Sequence, residues 1–260
     1  MPEATVNGAR LSYAEYGTGP PVVLVHGLGG TGTDIWKHVI AELAEEFRVV
    51  VYDLRGSGSS EATPGPYTID LLQHDLDALV QALDLGPVGL VGHSLGGGIV
   101  LAQAARHPDR VRAVVGAGAV TTLPDAGREG MRTRAETVEA NGMAGVAETV
   151  ATNGVSPTFR ETRPEEFQEL ISMLGSANVA GYAAQCRALE ALELTGELGS
   201  IRAPALLVAG ELDQASPVTR NEANAEQIGA ELLVLPDCAH IIPWEKPAEL
   251  LAAAVPVLGA

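Results

Sequence analysis

Short, largely apolar runs rich in β-branched residues recur along the first half of the chain: Val22-Val23-Leu24-Val25, Val49-Val50-Val51-Tyr52, Val88-Gly89-Leu90-Val91 and Val111-Arg112-Ala113-Val114-Val115. A strand with one wet face alternates apolar and polar residues, whereas a run without alternation belongs to a strand covered on both faces. Between the runs the spacing turns helical. Asp34 is placed to cap a helix carrying Ile35, Trp36, Val39, Ile40 and Leu43 on one face, and Thr68 to Leu85 sets Leu72, Leu76, Leu79, Val80 and Leu83 at similar intervals. Strands alternating with helices predict a parallel sheet with helices on both faces.

The alternation stops after Val120. From Thr121 to about Ser200 the pattern holds only helical pieces separated by Gly and Pro, among them Pro164 to Leu174 and Val179 to Leu194. Strand–helix order then resumes with Ala205-Leu206-Leu207-Val208, a helix around Val218–Ile228, the strand Leu232-Leu233-Val234-Leu235 and a closing helix from Pro247. The chain therefore divides into a core of residues 1–120 and 201–260 and a helical cap of residues 121–200. Such an insert is expected over the carboxyl ends of the strands, where open α/β sheets bind ligands.

Composition narrows the function. The 260 residues suffice to bury roughly three quarters of the unfolded surface, with no need of a disulfide or metal. Acidic residues outnumber basic ones 33 to 16, for a formal charge of −17. Such a surface repels phosphate backbones and anionic lipid heads, which argues against nucleic-acid and membrane partners. Cys186 and Cys238 make no disulfide framework and fit a reducing compartment. The N-terminus lacks the basic start and apolar run of a signal peptide, and no apolar stretch approaches the ~20 residues that cross a bilayer. A cytoplasmic protein is expected. Metal-ligand spacings such as C-x-x-C or H-E-x-x-H are missing, so no metal site is expected.

The chemistry is concentrated in Gly92-His93-Ser94-Leu95-Gly96, which fits G-x-S-x-G between a strand and the apolar helix that contains Ile99, Val100 and Leu101. That context is a nucleophile elbow, in which a tight turn exposes the serine hydroxyl above the first amides of the helix. Serine is a weak nucleophile at neutral pH and needs a base, itself oriented by an acid, in the chain order Ser, Asp, His. Asp213 follows the strand ending at Val208 and His240 follows the last strand, so Ser94, Asp213 and His240 are the candidate catalytic residues. Glu211, nearer its strand end, is the alternative acid, and Asp237 reads as a turn residue.

Gly27-Leu28-Gly29-Gly30-Thr31-Gly32 matches G-x-G-x-x-G, with Asp53 about twenty residues on, as in a dinucleotide fingerprint. The helix signal begins only at Thr33–Asp34, beyond the third glycine, whereas a cofactor loop carries that glycine inside the helix. An oxyanion loop is the better reading. The backbone amides of Leu28 and Leu95 are the candidate donors to a developing oxyanion, and His26 is expected to brace the loop.

With these residues in place, the chain resembles the α/β-hydrolase superfamily over nearly its whole length. The signatures are His26-Gly27, the run Asp53-Leu54-Arg55-Gly56-Ser57-Gly58-Ser59-Ser60, the serine elbow, Gly210-Glu211-Leu212-Asp213, and His240 followed by Glu245-Lys246-Pro247. Serine at position 94, where epoxide hydrolases and haloalkane dehalogenases carry aspartate, sets it apart from those members. Within the insert, Asn141 to Ala147, Ser156 to Phe159, Gly181 to Cys186 and Ile201 to Pro204 are similar to 3-oxoadipate enol-lactonases. The chain departs from that family at Asn153-Gly154-Val155, in place of an Arg-Trp-Phe run, and at Ala239, in place of a glycine.

The resemblance implies an α/β-hydrolase fold, a mostly parallel sheet flanked by helices, with a helical cap inserted after the sixth strand. It also implies cofactor-free hydrolysis of a small-molecule ester or lactone. Leu28, Met143, Val155, Met173, Ile241 and Trp244 are the expected substrate-binding residues in a mostly aliphatic pocket. For an anionic substrate, cap arginines such as Arg128, Arg132 or Arg160 are candidate contacts, although each taken alone reads first as a solvated surface charge. The alternatives are a lyase or C–C bond hydrolase using the same residues, or a ligand-binding protein on this fold. A homo-oligomer is left open.

Overall fold

The chain opens with an antiparallel hairpin, β1 (Glu3–Val6) and β2 (Ala9–Tyr16), in a computed structural model that describes residues 1–260. Its turn is Asn7-Gly8 with φ of +46° and +74°, the two-residue geometry that matches the twist of the strands it joins. The six strands expected from the apolar runs follow: β3 (Pro21–Val25), β4 (Arg48–Tyr52), β5 (Val88–His93), β6 (Val111–Ala117), β7 (Ala205–Gly210) and β8 (Glu231–Leu235). The eight-stranded sheet runs β1-β2-β4-β3-β5-β6-β7-β8, with β3 to β8 parallel and the hairpin antiparallel at one edge.

The absence of alternation in these strands has its cause in two cores. Val23, Val25, Val50 and Tyr52 enter an apolar core on one face, while Val22, Leu24, Val49 and Val51 enter a second core on the other. Successive side chains of a strand point to opposite faces, so both must be apolar. The helices α1 (Gly32–Trp36) and α2 (Ile40–Leu43) cover one face, and α3 (Ile69–Ala82) and α4 (Leu95–Arg106) the other. Asp34 does not cap α1. The Thr31 hydroxyl does so, accepting from the Asp34 amide at 3.1 Å, and Asp34 lies in the first turn.

Five helices separate β6 from β7: α5 (Asp125–Asn141), α6 (Ala147–Gly154), α7 (Pro157–Thr162), α8 (Pro164–Gly175) and α9 (Val179–Glu190). The last ends four residues before the expected Leu194, and Thr122 and Glu193 then close the insert with an isolated antiparallel bridge. Gly181 of α9 packs directly on Gly56, where an added Cβ would lie 1.9 Å from the Gly56 carbonyl oxygen. Beside it, Gln185 donates to the Arg55 carbonyl and the Ser57 hydroxyl, each at 2.9 Å. After β7 come α10 (Val218–Ile228), then α11 (Ile242–Glu245) and α12 (Pro247–Leu258). No helix is long and apolar enough to cross a membrane.

Candidate active site

Ser94 sits between β5 and α4 with φ +55° and ψ −115°, a conformation that side chains rarely adopt. Its surroundings hold it there. The Ser94 amide donates to the Ala117 carbonyl at 3.0 Å, and its carbonyl accepts from the Gly98 and Val120 amides, each at 3.1 Å. The flanking glycines are required by close backbone approach: a Cβ at Gly92 would lie 2.3 Å from the Gly96 carbonyl oxygen, and one at Gly96 2.2 Å from that of Val25.

Three loops at the carboxyl ends of the strands bring Ser94, Asp213 and His240 together. Ser94 Oγ lies 2.8 Å from His240 Nε2, and His240 Nδ1 lies 2.8 Å from Asp213 Oδ2. The other Asp213 oxygen accepts from the Ala215 and Ser216 amides at 2.8 and 3.0 Å. This fixes the carboxylate plane from below. Gly118 passes close by with φ +55°, and a Cβ there would meet both Asp213 Oδ2 and His240 Nδ1 at 3.3 Å. The insert holds the His240 loop, since the Gly154 carbonyl at the end of α6 accepts from the His240 and Ile241 amides at 3.0 and 2.8 Å. The buried Glu245 carboxylate bridges the same junction, accepting from the Ser156 and Ala239 amides at 2.7 Å each.

The electrostatics follow from burial and pairing. Burial works to lower the His240 pKa, but the Asp213 carboxylate outweighs it and the value is raised above the ordinary 6.5. Burial likewise opposes ionisation of Asp213, yet His240 and the two amides hold its pKa below the ordinary value. His93 is driven down to about 3, by burial first and by His240 second, so it is neutral. A carboxylate, an imidazole and a hydroxyl linked in this order can draw a proton off the hydroxyl.

The neighbouring candidates are otherwise engaged. Glu211 is exposed and accepts from the Asp237 amide at 3.1 Å. Asp237 has φ +48° and lies in a turn. His26 is fully buried, its Nε2 accepting from the Leu54 amide at 2.9 Å, and so ties the glycine-rich loop to the end of β4. Burial pushes the Cys238 thiol pKa well up. Gly32 opens α1 and is thus inside the helix, against the expectation that the helix begins after it. The loop nonetheless lacks a free ribose-binding acid, because both Asp53 oxygens are spent on the Gly32 and Ser59 amides at 2.9 Å. Leu95 is the first residue of α4, so its amide has no intrahelical acceptor, and the Leu28 amide makes no hydrogen bond within its loop.

A cavity of about 130 Å³ lies over Ser94 and His240. Leu28, Met173 and Ile241 line it as expected; Met143, Val155 and Trp244 do not. Met143 packs within the insert, between α5 and α9, with Tyr182 and Cys186, and Val155 and Trp244 fill an apolar cluster between α6 and α8. At the α6 terminus it is Asn153 and Gly154 that face the cavity. The Leu95 side chain, too, is buried in the core. Arg128, Arg132 and Arg160 do not line the wall, in keeping with the reading of Arg128 and Arg132 as surface charges. Arg128 is spent on Glu193 and the Glu190 carbonyl and Arg132 on Glu190, while Arg160 lies elsewhere. Met131 and Arg134, missed in the sequence, take those places, with Leu123 and Leu189. Spacing alone does not separate them, since Arg128, Met131 and Arg134 follow one another at three-residue intervals on α5, and it is the pairing of Arg128 with Glu193 and the Glu190 carbonyl that takes it away from the wall.

Residues 20–247 match the model of a family described as the alpha/beta hydrolase fold. The chain belongs to the α/β-hydrolase family. This hydrolase is 30% identical over 244 residues to 3-oxoadipate enol-lactonase 2 of Acinetobacter baylyi, covering 94% of the chain and 91% of the relative. Its structure superposes on the enol-lactonase from Burkholderia xenovorans LB400 with a TM-score of 0.95 and 31% identity, over 100% of both chains. A thermophilic esterase from Thermogutta terrifontis matches with a TM-score of 0.92 and 30% identity, over 99% of this chain and 97% of the other.

Proposed function

We propose that this carboxylic ester hydrolase cleaves a small-molecule ester or lactone through an acyl-enzyme on Ser94. The observation that carries the reading is the unbroken chain of hydrogen bonds from Asp213 through His240 to Ser94 Oγ at the floor of the cavity. His240 takes the Ser94 proton as Oγ attacks the carbonyl carbon, and Asp213 holds the tautomer with the proton on Nδ1 and stabilises the imidazolium. The Leu28 and Leu95 amides receive the oxyanion. His240 then protonates the leaving oxygen, which stays tethered to the acyl group when the substrate is a lactone. Water deprotonated by His240 attacks the acyl carbon and frees Ser94. Residues 121–200 serve as a cap that shields these steps from bulk water, over a core of residues 1–120 and 201–260.

Turnover of p-nitrophenyl acetate with a burst of one equivalent of nitrophenol per protein tests this. Ser94→Ala is expected to abolish both burst and turnover. A Ser94→Ala protein that retains its rate sinks the reading, and so does a wild-type protein inert toward a panel of esters and lactones.

A further inference from the structure

The loop that carries His240 is held from two sides. The core takes its carbonyl side: the Leu212 amide donates to the Cys238 carbonyl at 2.8 Å, and a Cβ at Gly210, the last residue of β7, would lie 2.1 Å from the Ala239 carbonyl oxygen. The insert takes its amide side. The His240 and Ile241 amides donate to the Gly154 carbonyl, and the Ala239 amide donates to Glu245 Oε1 at 2.7 Å. The other oxygen, Oε2, accepts from the Ser156 amide at 2.7 Å, two residues beyond Gly154. Glu245 is 4% exposed, and no Lys, Arg or His nitrogen lies within 4.0 Å of its carboxylate. A carboxylate buried without a counter-ion is costly unless hydrogen bonds compensate. The geometry shows what requires it. Two N–H donors from distant parts of the chain converge on one buried point, and only a carboxylate offers two acceptor oxygens and no donor. A glutamine would accept from one amide and turn its NH2 on the other. Glu245 lines neither cavity, so it does not reach a bound substrate.

We propose that Glu245 is a positioning residue for the base. Its carboxylate closes a ring that runs from Ala239 through Glu245 to Ser156, along the chain to Gly154, and back to the His240 amide, and this ring sets His240 Nε2 at 2.8 Å from Ser94 Oγ. Half of the seat of the base thus belongs to the insert. The effect on turnover rests on the hydrolase reading of Ser94; the placement of His240 does not.

Glu245→Gln tests this with little change in shape, while Glu245→Asp keeps the charge but is too short to span both amides. Hydrolysis of p-nitrophenyl acetate is expressed as kcat per site titrated to completion with a fluorophosphonate, which counts only molecules with a competent Ser94. Each variant should lose roughly 10- to 100-fold in kcat, the cost of holding a reacting group up to about 1 Å out of place, with KM within about twofold of wild type. A residue that only stabilised the fold would lower Tm and the number of titrated sites and leave kcat per site unchanged. That result in either variant overturns the proposal, and Glu245→Asp carries the test if Glu245→Gln does not fold. Nitrogen NMR of the imidazole separates this proposal from the hydrolase reading. The His240 Nδ1 proton, held by Asp213 in the wild type, should exchange with solvent faster in both variants, by about tenfold or more, for the loss of one buried hydrogen bond in its loop. Faster exchange supports the positioning role even if no ester turns over. Equal exchange overturns it even if esters are hydrolysed.

Discussion

Asp213→Asn tests the role of the carboxylate with little change in shape, and the structure dictates which way the amide must sit. On one side, the Asp213 carboxylate accepts two backbone N–H groups at 2.8 and 3.0 Å; on the other it meets only His240 Nδ1, at 2.8 Å. Placing the asparagine NH2 against the two amides would leave the buried Ser216 donor unsatisfied, at about 1–3 kcal/mol, and would turn the part-buried Ala215 donor against another donor. The carbonyl oxygen therefore takes that side and the NH2 faces His240. An NH2 can only donate, so Nδ1 must accept and the imidazole proton moves to Nε2, facing Ser94 Oγ. The base is then in the wrong tautomer. By analogy with a serine protease in which the same substitution has this effect, kcat is expected to fall by about 10⁴, or about 5.4 kcal/mol. Loss of the negative charge also removes the interaction that raises the His240 pKa, leaving burial to lower it. The assay is steady-state ester hydrolysis with imidazole nitrogen NMR on the same protein, and Glu211→Gln, whose carboxylate lies at Asp237, serves as the control with kcat unchanged within about twofold. A rate for Asp213→Asn within about tenfold of wild type, or an Nδ1 proton retained in its spectrum, would refute the reasoning and move the acid's role to Glu211.

Three further outcomes are expected. The pH dependence of kcat/KM should rise through an apparent pKa above 6.5, because His240 acts only when neutral and its pKa is raised; an acid limb centred below 6.5 contradicts this. Stability carries the matching signs: the His240 contribution is full below 6.5 and fades as pH climbs through its raised value. The Asp213 contribution holds above its ordinary 3.8 and fades as pH falls through its lowered value. Arg55→Met tests the buried ion pair in which Arg55 meets Asp75 at 2.6 and 2.8 Å, with side chains 4% and 1% exposed. Removing one partner strands a buried charge and should cost about 3–5 kcal/mol, or roughly 6–20 °C in Tm by calorimetry. A shift under about 2 °C would mean that Asp75 is not left as a stranded buried charge.

What is legible in this sequence is whatever local chemistry alone decides. The central strands show because two cores demand apolar residues on both faces, which no alternation disguises. Ser94 shows because Gly92 and Gly96 are forced by backbone crowding inside one turn, and Asp213 and His240 because each stands just past a strand end. The hairpin of β1 and β2 hides in a mixed pattern, although Asn7-Gly8 carries its turn signal. The start of α1 hides because Thr31 and Asp34 are both good caps and only the hydrogen bond between them decides. The cavity wall is least legible of all. Whether Val155 or Gly154 faces the site depends on how α6 packs on α8, and whether Arg132 or Arg134 does depends on the rotation of α5.

The same insert that decides the wall also grips the base. Gly154, on the cavity wall, gives its carbonyl to the His240 and Ile241 amides, and Glu245 fastens Ser156 to Ala239. Burial raises the Glu245 pKa, which the structure tolerates because its oxygens meet the two amides. A shift of α6 that reshapes the pocket must therefore drag the His240 loop with it or break these bonds, while α5 and its Arg134 make no such bond to that loop. A substitution on the α5 wall therefore leaves the hydrogen bonds of the His240 loop in place, whereas a movement of α6 does not. That asymmetry follows from where the hydrogen bonds run, and it leaves the α5 side of the cavity wall freer to change than the α6 side.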